Sequence, residues 1–392
     1  MRPRRARARG RRKLRARGSS PRFPPAPPPP PRAARSLYYY AWKFASTTAI
    51  LGASAYVTAA GAAAGSVPAQ LGGALLLALF WQQCGWLAHD FGHHQVFSSR
   101  AANDAGILLV GNLYQGFSCE WWKNKHNTHH AIPNLLESTD GAHDGDPDID
   151  TLPFLAWSEE MLAKAEAAGA AASPTQRFLL RFQAVLYFPI LFFARIVWAL
   201  QSAAFVFRFD AGLFENSEGA VRAKTDKVTG AAAPRGLKYE FVERALLVAH
   251  YAGVGALCFG LTSSALVGAA HLVLAETVCG LLLAVSFGLG HNGMGVFAAG
   301  AAPGFAELQV ATTRNVNDDA LGLTGWFMGG LHLQIEHHLF PAVPRHHLPA
   351  VRARIEPLCK KHGVPYRATG MVDGTIEVLS HLASVAQALK EI

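Results

Sequence analysis

The stretch QLGGALLLALFWQQCGWLAHDFGHH, residues 70–94, runs from an apolar segment straight into three histidines. A helix needs roughly 20 mostly apolar residues to cross the hydrocarbon core of a bilayer, and 70–88 meets that need. His89, His93 and His94 follow at its end, and none of the 17 histidines precedes His89. The imidazoles therefore begin where a membrane span stops.

Three more segments, 44–64, 243–263 and 266–288, have the length and composition of spans. Short links, GSVPAQ and LTSS, turn each neighbouring pair into a hairpin. The run 178–207 is also apolar but carries Arg181, Gln183, Arg195 and Gln201. Of 392 residues, 51% are hydrophobic and 16% charged, with a mean hydropathy of +0.16. That is too apolar for an ordinary soluble domain and too polar for a transporter that is helix throughout.

The net charge of +9 belongs to a tail. Residues 1–35 hold 13 Lys/Arg and no acid, leaving 23 basic against 27 acidic residues, a net −4, in the rest. The body thus gives no reason to invoke nucleic acid. The Arg/Pro-rich segment 1–36 reads as a disordered tail ahead of one membrane domain, 37–392. Targeting peptides are usually richer in Ser/Thr and amphipathic, so a cytosolic tail or a misplaced start fits better than a transit peptide. Five cysteines form no CxxC and are odd in number, which argues for reduced, packed thiols.

Nine histidines fall into groups. His89, His93 and His94 lie in HDFGHH; His126, His129 and His130 form H-x-x-H-H; Gln334, His337 and His338 form Q-x-x-H-H; His291 follows the last span in GLGHNGM. On a helix, positions i, i+3 and i+4 share a face, so each of the second and third groups should point together. In the first group, i and i+5 lie about 140° apart, so His93 or His94 is a supporting partner or the helix ends at the metal. His250, His271, His143, His346, His347, His362 and His381 read as ordinary hydrogen-bonded side chains.

If the groups act together they lie on one side of the bilayer, and an even number of crossings separates His130 from His337. The arginine-bearing run 178–207 is then the segment that fails to span, since arginine is costly at the bilayer centre and comfortable at its interface. Basic residues such as Arg222, Lys224 and Lys227 make that side cytosolic. Eight or nine ligands are too many for one ion and imply two. Structural zinc is commonly thiolate-bound, and hydrolytic zinc needs three protein ligands. Imidazole suits iron as well, and two histidine-rich iron sites beside a bilayer point to oxygen activation on a lipid. Composition alone leaves two zincs open.

With these residues in view, the chain resembles the membrane front-end fatty acyl desaturases of the Δ5/Δ6/Δ8 type. The resemblance spans about 38–378 and rests on HDFGHH, WWKNKHNTHH, DGDPDIDTLPFLAWS, GLGHNGM, TTRNV, QIEHHLFPAVPRHHL and VDGTIEVLSHL. It implies an all-α membrane protein of about four transmembrane helices, with interfacial helices and a cytosolic helical cap carrying a di-iron site. His89, His94, His126, His129, His130, His291, His337 and His338 would be iron ligands, with His93 and Gln334 direct or supporting members. Asp90 and Glu336 would orient ligand imidazoles. The implied activity is O2-dependent insertion of a double bond on the carboxyl side of an existing one, most similar to Δ6-type members. The substrate would be an acyl-CoA or acyl-phospholipid, in the endoplasmic reticulum or, less in keeping with the tail, a plastid membrane.

The family typically carries an N-terminal cytochrome b5 domain with a His-Pro-Gly-Gly motif. No histidine precedes His89, so the expected electron donor is a separate cytochrome b5 with its reductase, or a first domain has been lost from the gene model. Two rivals remain: a lipid hydroxylase of the same iron chemistry, and a non-catalytic paralogue that associates with active desaturases. The acidic run Asp144, Asp146, Asp148 and Asp150 lacks the glycine and glutamate of an EF-hand loop, where Leu155 takes the last position. It reads as a structured segment after the second histidine group.

Overall fold

The structure is a computed structural model that describes residues 35–137, 145–167, 173–209, 238–298 and 300–388. The tail expectation therefore lies outside the described residues, apart from Arg35 and Ser36. Ser36 caps the first helix by accepting the Tyr39 amide. In chain order the helices are α1 Leu37–Ala63, α2 Val67–Gly92, α3 Arg100–Ile107, α4 Cys119–Ala131, α5 Glu159–Ala167, α6 Pro174–Arg181, α7 Gln183–Leu191 and α8 Ala194–Phe207. After these come α9 Glu240–Gly260, α10 Ala265–His291, α11 Phe305–Ala311, α12 Leu323–Phe327, α13 Gln334–Leu339, α14 Leu348–His362 and α15 Met371–Ala388. A π-helix, Leu108–Gln115, extends α3, and two short strands, Asn315–Val316 and Ala368–Thr369, pair in parallel.

This is an all-α fold of membrane type. Among the described residues, α2, α9 and α10 are long and apolar enough to cross a membrane, and α7 with α8 pass only as a pair bent by 60°. The expected span 44–64 falls on α1 and its C-cap, Ala64. That helix has 27 residues, but Ser46, Thr47, Thr48, Ser54 and Thr58 dilute its apolar surface, and it is not among the three.

Those small hydroxylated residues have another use. Helix pairs in lipid associate by close packing and hydrogen bonds rather than by the hydrophobic effect. Ser54 Oγ donates to the Gly73 carbonyl at 2.7 Å, and Thr58 Oγ1 returns to the Ser54 carbonyl at 2.8 Å. A Cβ on Gly73 would lie 2.0 Å from Thr58 Oγ1. The α1–α2 contact therefore needs a glycine there.

The bend between α7 and α8 is tied to α10 by charge. Arg195, 1% exposed, pairs with Glu276, donates to the Gln115 carbonyl at 2.8 Å and lies 3.7 Å over the Trp81 ring. Fixing α4 is a second buried carboxylate. Ser118 caps α4 by accepting the Trp121 amide and donates to Glu243 of α9. Asn112 of the π-helix also donates to Glu243, at 3.1 Å, and accepts the Cys119 amide. Helix α4 is thereby bound at its start to α9 and to the π-helix.

All five cysteines are buried and free, as expected. His250 bonds the Leu113 carbonyl, His271 the Gln70 carbonyl and His381 the Trp157 carbonyl, each through one ring nitrogen to the backbone; His143 is outside the described residues.

Removing one member of a buried ion pair leaves the other uncompensated, at a cost of about 3–5 kcal/mol, whereas replacing both by apolar residues is often neutral. Arg195→Leu is expected to lower the melting temperature of the purified protein in detergent, and Arg195→Leu with Glu276→Leu to recover most of the loss. An additive double variant would show that the pair is not coupled.

Candidate metal centre

The histidine groups meet. His89 at the end of α2 and His93, which caps it, converge with His126 and His130 of α4 and His337 of α13, their candidate ligand atoms all within 4.8 Å of one another. The Nε2 atoms form a chain of contacts: His93 to His126 at 2.9 Å, His126 to His130 at 3.0 Å, His130 to His337 at 3.1 Å and His337 to His89 at 3.1 Å. A second set, His129, His291 and His338, lies alongside with the same closeness. The rings of His130 and His338 stack across the two sets at 4.2 Å.

Helix geometry explains the division. The second group was expected to point together, but its members are shared out: His126 and His130, four apart, go to the first set and His129 to the second. Helix α13 does the reverse. Its pair four apart, Gln334 and His338, faces the second set, and His337 faces the first. Gln334 is thus the counterpart of His126, an amide where α4 offers an imidazole. Its side-chain amide lies 2.8 Å from His291 Nε2, and a Cβ on Gly290 would come within 3.0 Å of Gln334.

The first group resolves at the end of α2. The helix stops at Gly92, His93 caps it, and His94 turns away in a left-handed conformation (φ 57°). His94 is half-exposed with its Nε2 3.8 Å from Asp104, so it joins neither set, contrary to expectation. Gly92 also gives room to Trp122, whose ring stacks on His126 at 4.3 Å.

Two further expectations are corrected. Asp90 accepts from Arg345 Nε at 2.6 Å and lies 3.7 Å from His89 Nδ1, so it acts on that ring by charge more than by a hydrogen bond of good length. Glu336 sits on the other face of α13, where it accepts from Tyr366 at 2.7 Å and Asn315 at 2.8 Å. It touches no imidazole.

Other groups orient the second set. His129 Nδ1 lies 3.0 and 3.1 Å from the two oxygens of Asp146. Asp146 is itself fixed by the amides of Asn134 at 2.7 Å and Asp148 at 2.9 Å. Gln309 Oε1 takes His338 Nδ1 at 2.9 Å, while Gln309 Nε2 donates to the His130 carbonyl. The Thr312 carbonyl takes His291 Nδ1 at 3.2 Å. With every Nδ1 engaged outward, each Nε2 is left facing inward. The acidic run is read from sequence as a structured segment, and its buried member Asp146 serves a histidine. Sequence carries a signal for Asp146, in DGDPDID, and for the neighbourhood of Thr312, in TTRNV, though not for the carbonyl it uses; nothing marks Gln309.

This donor set fits metal ions. The His338 Nε2 is buried with no protein partner, and two nitrogens bound at right angles to one ion at ~2.1 Å stand ~3.0 Å apart, the spacing found between neighbouring rings. Burial drives His93, His126, His130, His337 and His338 well below the usual imidazole range, with neighbouring imidazoles adding to the fall. They are neutral, as ligands must be. His129 goes the other way: burial lowers it, but Asp146 and Asp148 outweigh that and raise it to about 9. The same negative charge favours a cation at Nε2. His126, His130 and His337 with His89 and His93 can hold one ion, and His129, His291 and His338 with Gln334 a second.

Because Asp146 is the buried carboxylate that hydrogen-bonds the second set, with Asp148 adding charge from 3.6 Å, Asp146→Ala should cut metal per chain from two towards one, measured by elemental analysis. Asp146→Asn keeps an acceptor and should lose less. Two metals in Asp146→Ala would show the contact to be dispensable.

Comparison with known proteins agrees with this geometry. The sequence profile described as fatty acid desaturase matches residues 66–370. An acyl-lipid (9-3)-desaturase of Physcomitrium patens is 37% identical over 83% of the chain and 55% of its own length. A Delta(8)-fatty-acid desaturase of Euglena gracilis is 34% identical over 80% of the chain and 67% of its own length. A Delta(6)-fatty-acid desaturase of Caenorhabditis elegans is 34% identical over 80% and 64%. The chain thus spans between about half and two thirds of the length of these relatives. A family profile over most of the sequence, and relatives of this similarity over four fifths of it, place the chain in the fatty acid desaturase family.

Proposed function

We propose that this protein is a front-end fatty acyl desaturase that uses two iron ions. The observation that carries this reading is the pair of adjacent imidazole-rich sets sharing α4 and α13. When bound, the irons would supply reductive activation of O2, which with two electrons and two protons removes two hydrogens from neighbouring methylenes and yields two waters. An unactivated C–H bond demands so strong an oxidant that the site must keep it from solvent. This chain contributes burial: His89, His129, His337 and His338 are each no more than 3% exposed. It also contributes orientation, through Asp146, Gln309 and Thr312, and stacks Trp122 against His126.

The substrate we propose is a polyunsaturated acyl chain on CoA or a phospholipid. Relatives named for the Δ8, Δ6 and Δ5 positions support front-end regiochemistry in general, and the wording of the histidine groups favours Δ6. The proposed electron donor is cytochrome b5, in the endoplasmic reticulum membrane with the metal centre on the cytosolic face. The proposed topology has four crossings, α1, α2, α9 and α10. His130 and His337 lie in one set, so an even number of crossings separates them, and a bent α7–α8 pair that does not cross satisfies this. Exposed Tyr38 and Trp42 at the start of α1 suit a membrane interface.

Expression in yeast fed linoleic and α-linolenic acids, with double-bond localisation by mass spectrometry, tests the activity. A new bond on the carboxyl side is expected; a hydroxy acid, or no product with cytochrome b5 co-expressed, would overturn the reading. His337→Ala should abolish product. Gln334→His should retain iron and turn over more slowly, and full activity in Gln334→Ala would make the amide a mere spacer.

A further inference from the structure

Helix α2 carries two adjacent glutamines, Gln82 and Gln83, inside its apolar run, and both are buried. Unpaired amides there would be expensive. Their partner is the chain just ahead of the third histidine group. Gln82 Nε2 donates to the Phe327 carbonyl at 2.8 Å, Trp86 Nε1 donates to the same carbonyl at 2.8 Å, and Gln83 Nε2 reaches the Trp326 carbonyl at 3.5 Å. Gln82 precedes His89 by seven residues, so at 1.5 Å per residue this contact lies ~10 Å from the metal end of the helix, inside the span.

The segment is built for that depth. Gly322 (φ 70°) opens α12, and Gly329 (φ 60°) and Gly330 (φ 86°) turn the chain back after it. A side chain on Gly329 would lie 2.2 Å from Trp86. The tip satisfies its own amides: Asp319 accepts those of Leu321, Leu323 and Thr324, and Asp318 accepts that of Gly325. Against this satisfied backbone, Leu321 is 81%, Leu323 58% and Trp326 38% exposed. Non-helical backbone at membrane depth is tolerated only where its polar groups are met by protein, which is the condition found here.

We propose that residues 318–330 form a re-entrant wedge whose apolar tip lies among the acyl chains of the leaflet on the metal-centre side. Leu321, Leu323 and Trp326 contact hydrocarbon, while the Asp318 and Asp319 carboxylates are turned to the amides of the tip. The wedge leads through three residues into Gln334, so its seat in the bilayer fixes the depth of α13. The proposal rests on the spanning reading of α2 and α10.

The test uses the full chain in phospholipid nanodiscs, with a nitroxide label on Leu321→Cys or Leu323→Cys; the five native cysteines are buried. Relaxation by oxygen, which concentrates in hydrocarbon, is compared with relaxation by a water-soluble nickel chelate. Val273→Cys on the exposed face of α10 (60% exposed) serves as the lipid control, and Lys360→Cys as the aqueous one. Oxygen should dominate at 321 and 323 by a ratio close to that at 273. A ratio close to that at 360, with 273 still oxygen-dominated, would overturn the wedge alone. Chelate dominance at 273 as well would overturn the spanning reading and the wedge with it. Leu321→Asp/Leu323→Asp gives a second readout: weaker retention in bilayers of the segment's neighbour Trp326, seen as lost quenching by brominated lipid relative to Trp326→Phe, is expected. Unchanged quenching would also overturn the proposal.

Discussion

Imidazole nitrogens packed about 3 Å apart inside a protein wall are the constraint on which this structure depends. Neutral imidazoles at that spacing are compatible only while protons alternate or a cation lies among them, and burial has already removed the protons' main support. The rest of the fold reads as a means of holding rings there. Two membrane helices end at the site, α4 is fixed at its cap to α9 and the π-helix, and α13 is fixed behind by Glu336, Tyr366 and Asn315. None of these attachments touches a ring directly. Rigidity comes from the backbone, and fine orientation from three acceptors at Nδ1.

Much of this was legible in the sequence, for reasons of periodicity and composition. The apolar runs 70–88, 243–263 and 266–288 stand out because a span needs length and little charge. The histidine groups stand out because so many imidazoles at i, i+3 and i+4 serve no structural need. Helix α1 was read as a fourth such run, and its serines and threonines, which pack against Gly73, were not weighed against its apolar count. The choice between His93 and His94 was undecidable by spacing, since it hangs on where α2 ends and on one left-handed residue.

The orienting residues were harder still. Asp146 lies 17 residues beyond His129 and looked like part of an acidic cluster, because sequence shows charge but not which carboxylate is buried. Gln309 is a common residue in an unremarkable helix and gains its role from the approach of α11 to α13, while Thr312, just past that helix, acts through its backbone carbonyl on His291 of α10. Asp90 and Glu336 were chosen for their nearness in sequence to histidines. Neighbours along a helix point about 100° apart, so adjacency there is an argument against contact rather than for it.

The exchange of partners between α4 and α13 has one more consequence. Each helix serves both sets, so neither set has a backbone of its own. A single residue inserted ahead of either triplet would rotate three side chains together and withdraw donors from two sites at once. The pair behaves as one mechanical part with two faces, in which an error of register on either helix is always counted twice.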